Sequence, residues 1–184
     1  MDQNPYAPPR AVVVESRPED APEAPLFAVS IAKMVVLTIA TFGLYELVWL
    51  YQHWAAIRRR DHSDIWPVPR AIFGVIFCWS LFMRVERAGK EAGVPGGPPF
   101  GPLAVAWILS SLCWRLPDPY DWVSMLAPFL TIPVQIYANR VNAVVAPGHD
   151  RNARFNWMNI VVLVLGGVFV LLALIGAALP GPAS

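Results

Sequence analysis

The sequence predicts an all-α membrane protein with four transmembrane helices plus one short re-entrant or interfacial helix. Residues 34–54, MVVLTIATFGLYELVWLYQHW, carry a single formal charge, at Glu46. At ~1.5 Å rise per residue, a run of ~20 apolar residues matches ~30 Å of hydrocarbon. Residues 157–179 carry no charge at all. The 184 residues are 56% hydrophobic and 15% charged, with mean hydropathy +0.47. A soluble domain is nearer 45–50% apolar and about 25% charged. The excess here comes in blocks, as spans do, rather than in alternation.

Residues 1–25 read as a disordered Pro-rich tail, and 26–180 as one helical membrane domain. Proline removes backbone donors, and the charges in the tail offer nothing to bury. The tail lacks the basic start and apolar run of a signal peptide, so the first long span is expected to stay in the mature chain. Leu26 to Tyr51 is expected to enter the membrane as a helix, with Lys33 snorkelling to the interface. At ~100° per residue, Thr38, Phe42, Glu46, Trp49 and His53 share one face. That stripe should turn from lipid, because an unpaired charge at depth costs ~3 kcal/mol or more.

The loop that follows holds Arg58, Arg59 and Arg60, then Asp61, His62, Ser63 and Asp64. Three acidic or imidazole groups in four residues make a poor metal set, and no metal or cofactor is expected. Residues 71–83, AIFGVIFCWSLFM, are apolar on all sides but short, closed by Arg70 and Arg84. Such lengths are more often re-entrant or interfacial than spanning. Residues 85–102 form a hydrophilic, turn-rich connector. The glycines of VPGGPPFGP lack the Lys or Ser/Thr of a phosphate cradle.

Residues 103–114 and 122–138 form a helical hairpin about the Pro117–Asp121 turn, with Pro128 and Pro133 expected to kink the return helix. Gln135, Asn139 and Asn142 make a polar stripe at helical spacing, suited to hydrogen bonds between helices. A polar loop with His149, Asp150, Arg151 and Arg154 precedes the last span. There Gly166, Gly167, Ala173 and Ala177 offer small surfaces for close contact. Cys78 and Cys113 each sit in an apolar block, which argues for buried thiols rather than a disulfide framework.

Charge counting sets the expected orientation. If residues 71–83 do not cross, Arg58, Arg59, Arg60, Arg70, Arg84, Arg87, Lys90, Arg140, Arg151 and Arg154 share the cytoplasmic side, with Arg10, Arg17 and Arg115 opposite. The alternative is five transmembrane helices with a cytoplasmic N-terminus. No broadly basic face suggests nucleic acid, which is not an expected partner. Membrane lipid is, together with a homo-oligomer or another membrane protein.

Two blocks carry a resemblance. Lys33 through Arg84, with TFGLYELVWLYQHW, IWPVPRAIF and FCWSLF, resembles a family of uncharacterised bacterial inner-membrane proteins of domain-of-unknown-function type. PVQIYANRVNAVVAPGHDRNARFNWMN, residues 133–159, looks like a second shared block. The resemblance spans about residues 30–178. It implies a multi-pass protein of the bacterial inner membrane, and it directs attention to Gly43, Tyr45, Glu46, Trp49, Asn142, Asp150, Arg151, Asn152 and Asn156. It implies no activity.

Three functions follow as expectations. The first is a non-enzymatic protein, structural or partner-binding. The second is a small transporter or channel-like protein using Glu46, with Lys33, His53 or Arg84 as charge partner. The third is a membrane-interface enzyme with His149, Asp150 and Arg151 as acid, base and anion clamp. Neighbouring His and Asp side chains diverge on most backbones, so a working dyad is not implied. No residue is assigned a catalytic role.

Overall fold

The computed structural model describes residues 23–178; within the last helix, the side chains at 158, 170, 173, 174 and 176–178 lie outside the description. Among the described residues the α-helices are α1 (Ile31–Ala40), α2 (Tyr45–Arg60), α3 (Pro67–Ile72), α4 (Gly74–Glu91), α5 (Phe100–Leu112), α6 (Ala127–Leu130), α7 (Ile132–Val145) and α8 (Trp157–Ala178). Two 3-10 turns, Cys113–Arg115 and Tyr120–Leu126, join α5 to α6. No strand occurs among the described residues. The all-α class agrees with the sequence reading, and the transmembrane architecture does not.

Among the described residues, no helix is long and apolar enough to cross a membrane. This overturns both the four-span arrangement and its five-span alternative, and the orientation argument loses the spans it needs. The reasons are local. The first expected span is two helices, because Phe42 (φ 50°) and Gly43 (φ 85°) take left-handed backbone and break the ladder between α1 and α2. A helix from Leu26 is also absent: α1 starts at Ile31, capped by the Ser30 hydroxyl, which accepts from Lys33 N–H. α2 ends in Arg58, Arg59 and Arg60, cations suited to a helix C-terminus.

The short apolar element is divided at Phe73 into α3 and α4, and α4 runs on through Arg84, Glu86, Arg87 and Lys90. Residues 85–91, expected as connector, are therefore helical. In the hairpin, Pro128 and Pro133 occupy the first turns of α6 and α7. Proline is tolerated there because the first-turn N–H groups have no intrahelical partner; the two residues begin helices instead of kinking one. α8 is continuous, but what is described of it does not amount to a span.

The core is a shared interior of α1, α2, α4, α5 and α7, built on Trp49, Leu50, Trp54, Ile57, Leu81, Phe82, Val85, Trp107, Val134 and Tyr137. α4 packs against α5 and α7, α3 folds back on α2, and α8 lies along α1. The last contact depends on Gly166. A Cβ there would lie 1.8 Å from the carbonyl oxygen of Ala40, so the two backbones meet directly. Phe169 adds an edge-to-face contact with Phe42 at 5.4 Å. Gly167 meets nothing within 4 Å, and the side chains of Ala173 and Ala177 lie outside the described residues. Residues 1–22 of the Pro-rich tail lie outside them as well.

Candidate functional site

One polar cluster is built on α7 and a second on the loop that follows it. The first is buried. Gln135 carries an amide whose oxygen accepts from Trp49 Nε1–H (2.7 Å) and from His53 Nε2 (2.9 Å). With an oxygen as partner, His53 must hold its proton on Nε2. Its Nδ1 is then left buried without a hydrogen bond. Burial pushes this imidazole down to about 4, against a small upward pull from Gln135, so it is neutral near pH 7.

The nitrogen of the Gln135 amide donates to Phe27 O (3.0 Å) and to Asn139 Oδ1 (2.8 Å). Asn139 donates in turn to Val29 O (2.8 Å). Asn142 makes a two-way pair with Leu26, accepting from its N–H and donating to its C=O, each at 3.0 Å. The stripe predicted at this helical spacing therefore exists: Gln135 bonds across to Trp49 and His53 of α2, as expected of amides between helices, while its nitrogen, Asn139 and Asn142 hold the non-helical segment Leu26–Val29. Residues three and four apart share one helix face, and a non-helical backbone laid along that face needs donors and acceptors from outside itself. The side-chain amides take the place of a neighbouring strand.

The second cluster is the 146–156 loop. Asp150 accepts from Asn152 N–H (2.8 Å), and this turn places Asn152 in left-handed backbone (φ 47°). Asn152 then accepts from Lys33 Nζ (2.7 Å) and donates to Ala28 O (3.2 Å). Lys33 Nζ also donates to Arg154 O (2.9 Å) and lies over the Phe155 ring. Burial lowers the Lys33 pKa, with the Asp150 carboxylate pulling the other way. The ammonium thus ties the loop to the start of α1. His149 donates from Nδ1 to Ala146 O (2.8 Å) and is nearly buried.

Glu46 stands apart from both clusters. Its expected charge partners are occupied elsewhere: Lys33 as above, His53 on Gln135, and Arg84 on Asp61 (3.0 Å). Glu46 instead accepts from the indole N–H of Trp107 on α5. Gly74 makes this approach possible, since a Cβ there would lie 2.8 Å from Leu50 and 3.3 Å from Trp107. The carboxyl is half-buried, and desolvation raises it to about 7 while the indole bond pulls it back. Cys78, buried nearby, is pushed up by burial and then by Glu46. Of the stripe expected on one face, Trp49 and His53 are buried together, while Thr38 lies before the break and Phe42 is part of it. Tyr45 is buried in the core with burial raising its phenol to about 12, and its N–H donates to the Thr41 hydroxyl. Trp107 escaped the sequence reading because an indole is not a charge.

The raised Glu46 carboxyl makes stability depend on pH. Between its ordinary 4.5 and about 7, the folded chain holds the proton more tightly than the unfolded chain. Its contribution is therefore full below pH 4.5, falls as pH rises and is lost above about 7. Glu46→Gln keeps the acceptor for Trp107 and removes the charge. It is expected to raise the denaturant midpoint at pH 8 and leave it unchanged at pH 4. The gain is at most about 3 kcal/mol, reduced by partial solvent access. An equal effect at both pH values would contradict this.

The sequence was compared with known proteins. No curated protein and no solved structure matches the chain. A family model described as a domain of unknown function (DUF4234) matches residues 29–137. The match contains the first of the two resembling blocks and ends at Tyr137, so most of the second block, including Asn142 and the 149–152 loop, lies beyond it. With more than half of its length matched, the chain belongs to the DUF4234 family.

Proposed function

We propose that the chain is a non-enzymatic, partner-binding protein whose partner is lipid. One observation carries the reading: large apolar side chains stand exposed in contiguous runs on α1, α2, α3, α5 and α8. Soluble monomers rarely expose apolar patches larger than a few hundred Å2. The α2–α3 face is the clearest case. Leu47, Val48, Tyr51, Val68, Ala71 and Ile72 line an open groove of about 240 Å3 with almost no polar surface. Exposed Trp66 sits just before α3, and exposed Trp79, Trp114, Trp122 and Trp157 flank other apolar faces. Tryptophan of this kind favours the boundary between headgroups and acyl chains. The core beneath is packed with apolar side chains.

We take the surface to be the inner membrane of a bacterium, on the strength of the two resembling blocks. The test is flotation of the full chain with phosphatidylcholine vesicles. Wild type is expected in the light fraction, and Leu47→Asp with Ile72→Asp is expected to shift a clear majority to the dense fraction. A wild-type chain that stays dense, and remains monodisperse in buffer without detergent, would refute the proposal.

A further inference from the structure

We propose that the pocket between the start of α1, the second half of α7 and the 146–156 loop binds a phosphate group. Ser30, Asn139, Arg140, His149 and Arg151, with two alanines, line a partly enclosed cavity of about 450 Å3. No carboxylate is among the lining residues. Asp150, adjacent in sequence, is turned onto its own loop by its bond to Asn152 N–H.

The donors are arranged with capacity to spare. Arg140 uses one terminal nitrogen on Gly96 O (2.6 Å), leaving the rest of its fork. Arg151 makes no ion pair among the described residues. Ser30 accepts from Lys33 N–H, so its hydroxyl proton remains to be given. As the cap of α1, it also sets the positive end of that helix beside the pocket. His149 is 9% exposed, and with Nδ1 held by Ala146 O its Nε2 has no partner among the described residues. That nitrogen is open to solvent where His149 lines the cavity. Asn139 is already spent on Val29 and Gln135, and shapes the wall.

The donors here are the two guanidiniums and the Ser30 hydroxyl, beside a His149 Nε2 that, with the ring proton on Nδ1, is an acceptor. These donors suit the tetrahedral oxygens of a phosphate, which arginine forks bind in pairs. The ligand can be a free phosphate or a phospholipid headgroup. The site rests on the pocket alone and is independent of the apolar faces.

The full chain in neutral detergent would be titrated calorimetrically with inorganic phosphate, and separately with micelles doped with phosphatidylglycerol against undoped micelles. Saturable binding in either arm is expected. Arg151→Gln should weaken it about tenfold or more, the scale of one charge-assisted pair. Binding of inorganic phosphate identifies the free anion, and binding confined to doped micelles identifies the headgroup; either supports the site. Arg140→Gln should weaken it too. Should that variant fold poorly for want of its Gly96 contact, Arg151→Gln carries the test, because its side chain is exposed. Absence of saturable binding in both arms, or wild-type affinity in a folded Arg151→Gln chain, would overturn the proposal.

Discussion

Gln135→Leu is expected to destabilise the chain by about 3 kcal/mol or more, a large share of the roughly 5–15 kcal/mol that holds a domain folded. Leucine fills similar volume, so the loss does not come from a cavity. It comes from partners left behind. Trp49 Nε1–H and His53 Nε2–H would be stranded with their side chains wholly buried, and Phe27 C=O would lose its donor in a partly buried position. An unsatisfied buried donor or acceptor costs about 1–3 kcal/mol. The three share one residue, so the sum will not be additive, but its scale is set. Denaturant unfolding followed by tryptophan fluorescence measures it directly, since Trp49 is itself a reporter. Gln135→Glu is expected to fail as well: it keeps an acceptor for Trp49 but loses the donor to Phe27 and Asn139. A Gln135→Leu chain within 1 kcal/mol of wild type (RT ln 10 is about 1.4 kcal/mol) would show that the hydrogen-bonded seam adds little.

Gly89→Ala is expected to destabilise by about 2 kcal/mol or more, against the trend for a helix interior. Alanine normally stabilises a helix by about 1 kcal/mol relative to glycine. Here a Cβ would lie 2.1 Å from the Tyr137 hydroxyl and 2.3–2.4 Å from its ring. Tyr137 cannot yield easily. Its hydroxyl donates to Val94 O (2.8 Å), its ring meets Phe100 edge-on at 5.3 Å, and Arg140 lies over its face. The added methyl must therefore separate α4 from α7 or expel the ring, and overpacking of this kind costs about 1–3 kcal/mol. A double-mutant cycle with Tyr137→Ala isolates the cause. With the ring removed, Gly89→Ala should become neutral or stabilising. A penalty that persists in the Tyr137→Ala background would rule out the clash.

Much of the local design was legible beforehand. The helical spacing of Gln135, Asn139 and Asn142 announced a polar face that needed partners, and the single charge at Glu46 marked it as a group whose burial would matter. The apolar blocks correctly signalled helices and incorrectly signalled spans. The error had a definite source. Hydropathy counts apolar residues along a run, and residues 34–54 pass that count, yet backbone at Phe42 and Gly43 can leave the helical region with no change in apolar content. Gly43 is the one residue there that adopts positive φ freely. Phe73 gave no such signal. There the turn between α3 and α4 accompanies the packing of α3 back on α2, a contact that apolar content along the run does not register.

What the sequence by itself determined is the composition of each helix: which stretches are apolar, which faces are polar, where cations gather at helix ends. These depend on residues within a few turns of one another, which periodicity and charge can read. Only the tertiary structure decided what each polar face answers. The amides of α7 bind the extended Leu26–Val29, Lys33 holds the loop at Asn152, and Glu46 meets the indole of Trp107. Each of those pairings joins positions 61 to 119 apart in the chain or nearly so. A hydrogen bond requires two groups within about 3 Å, and that proximity is a property of how the helices pack, carried by no single stretch of sequence.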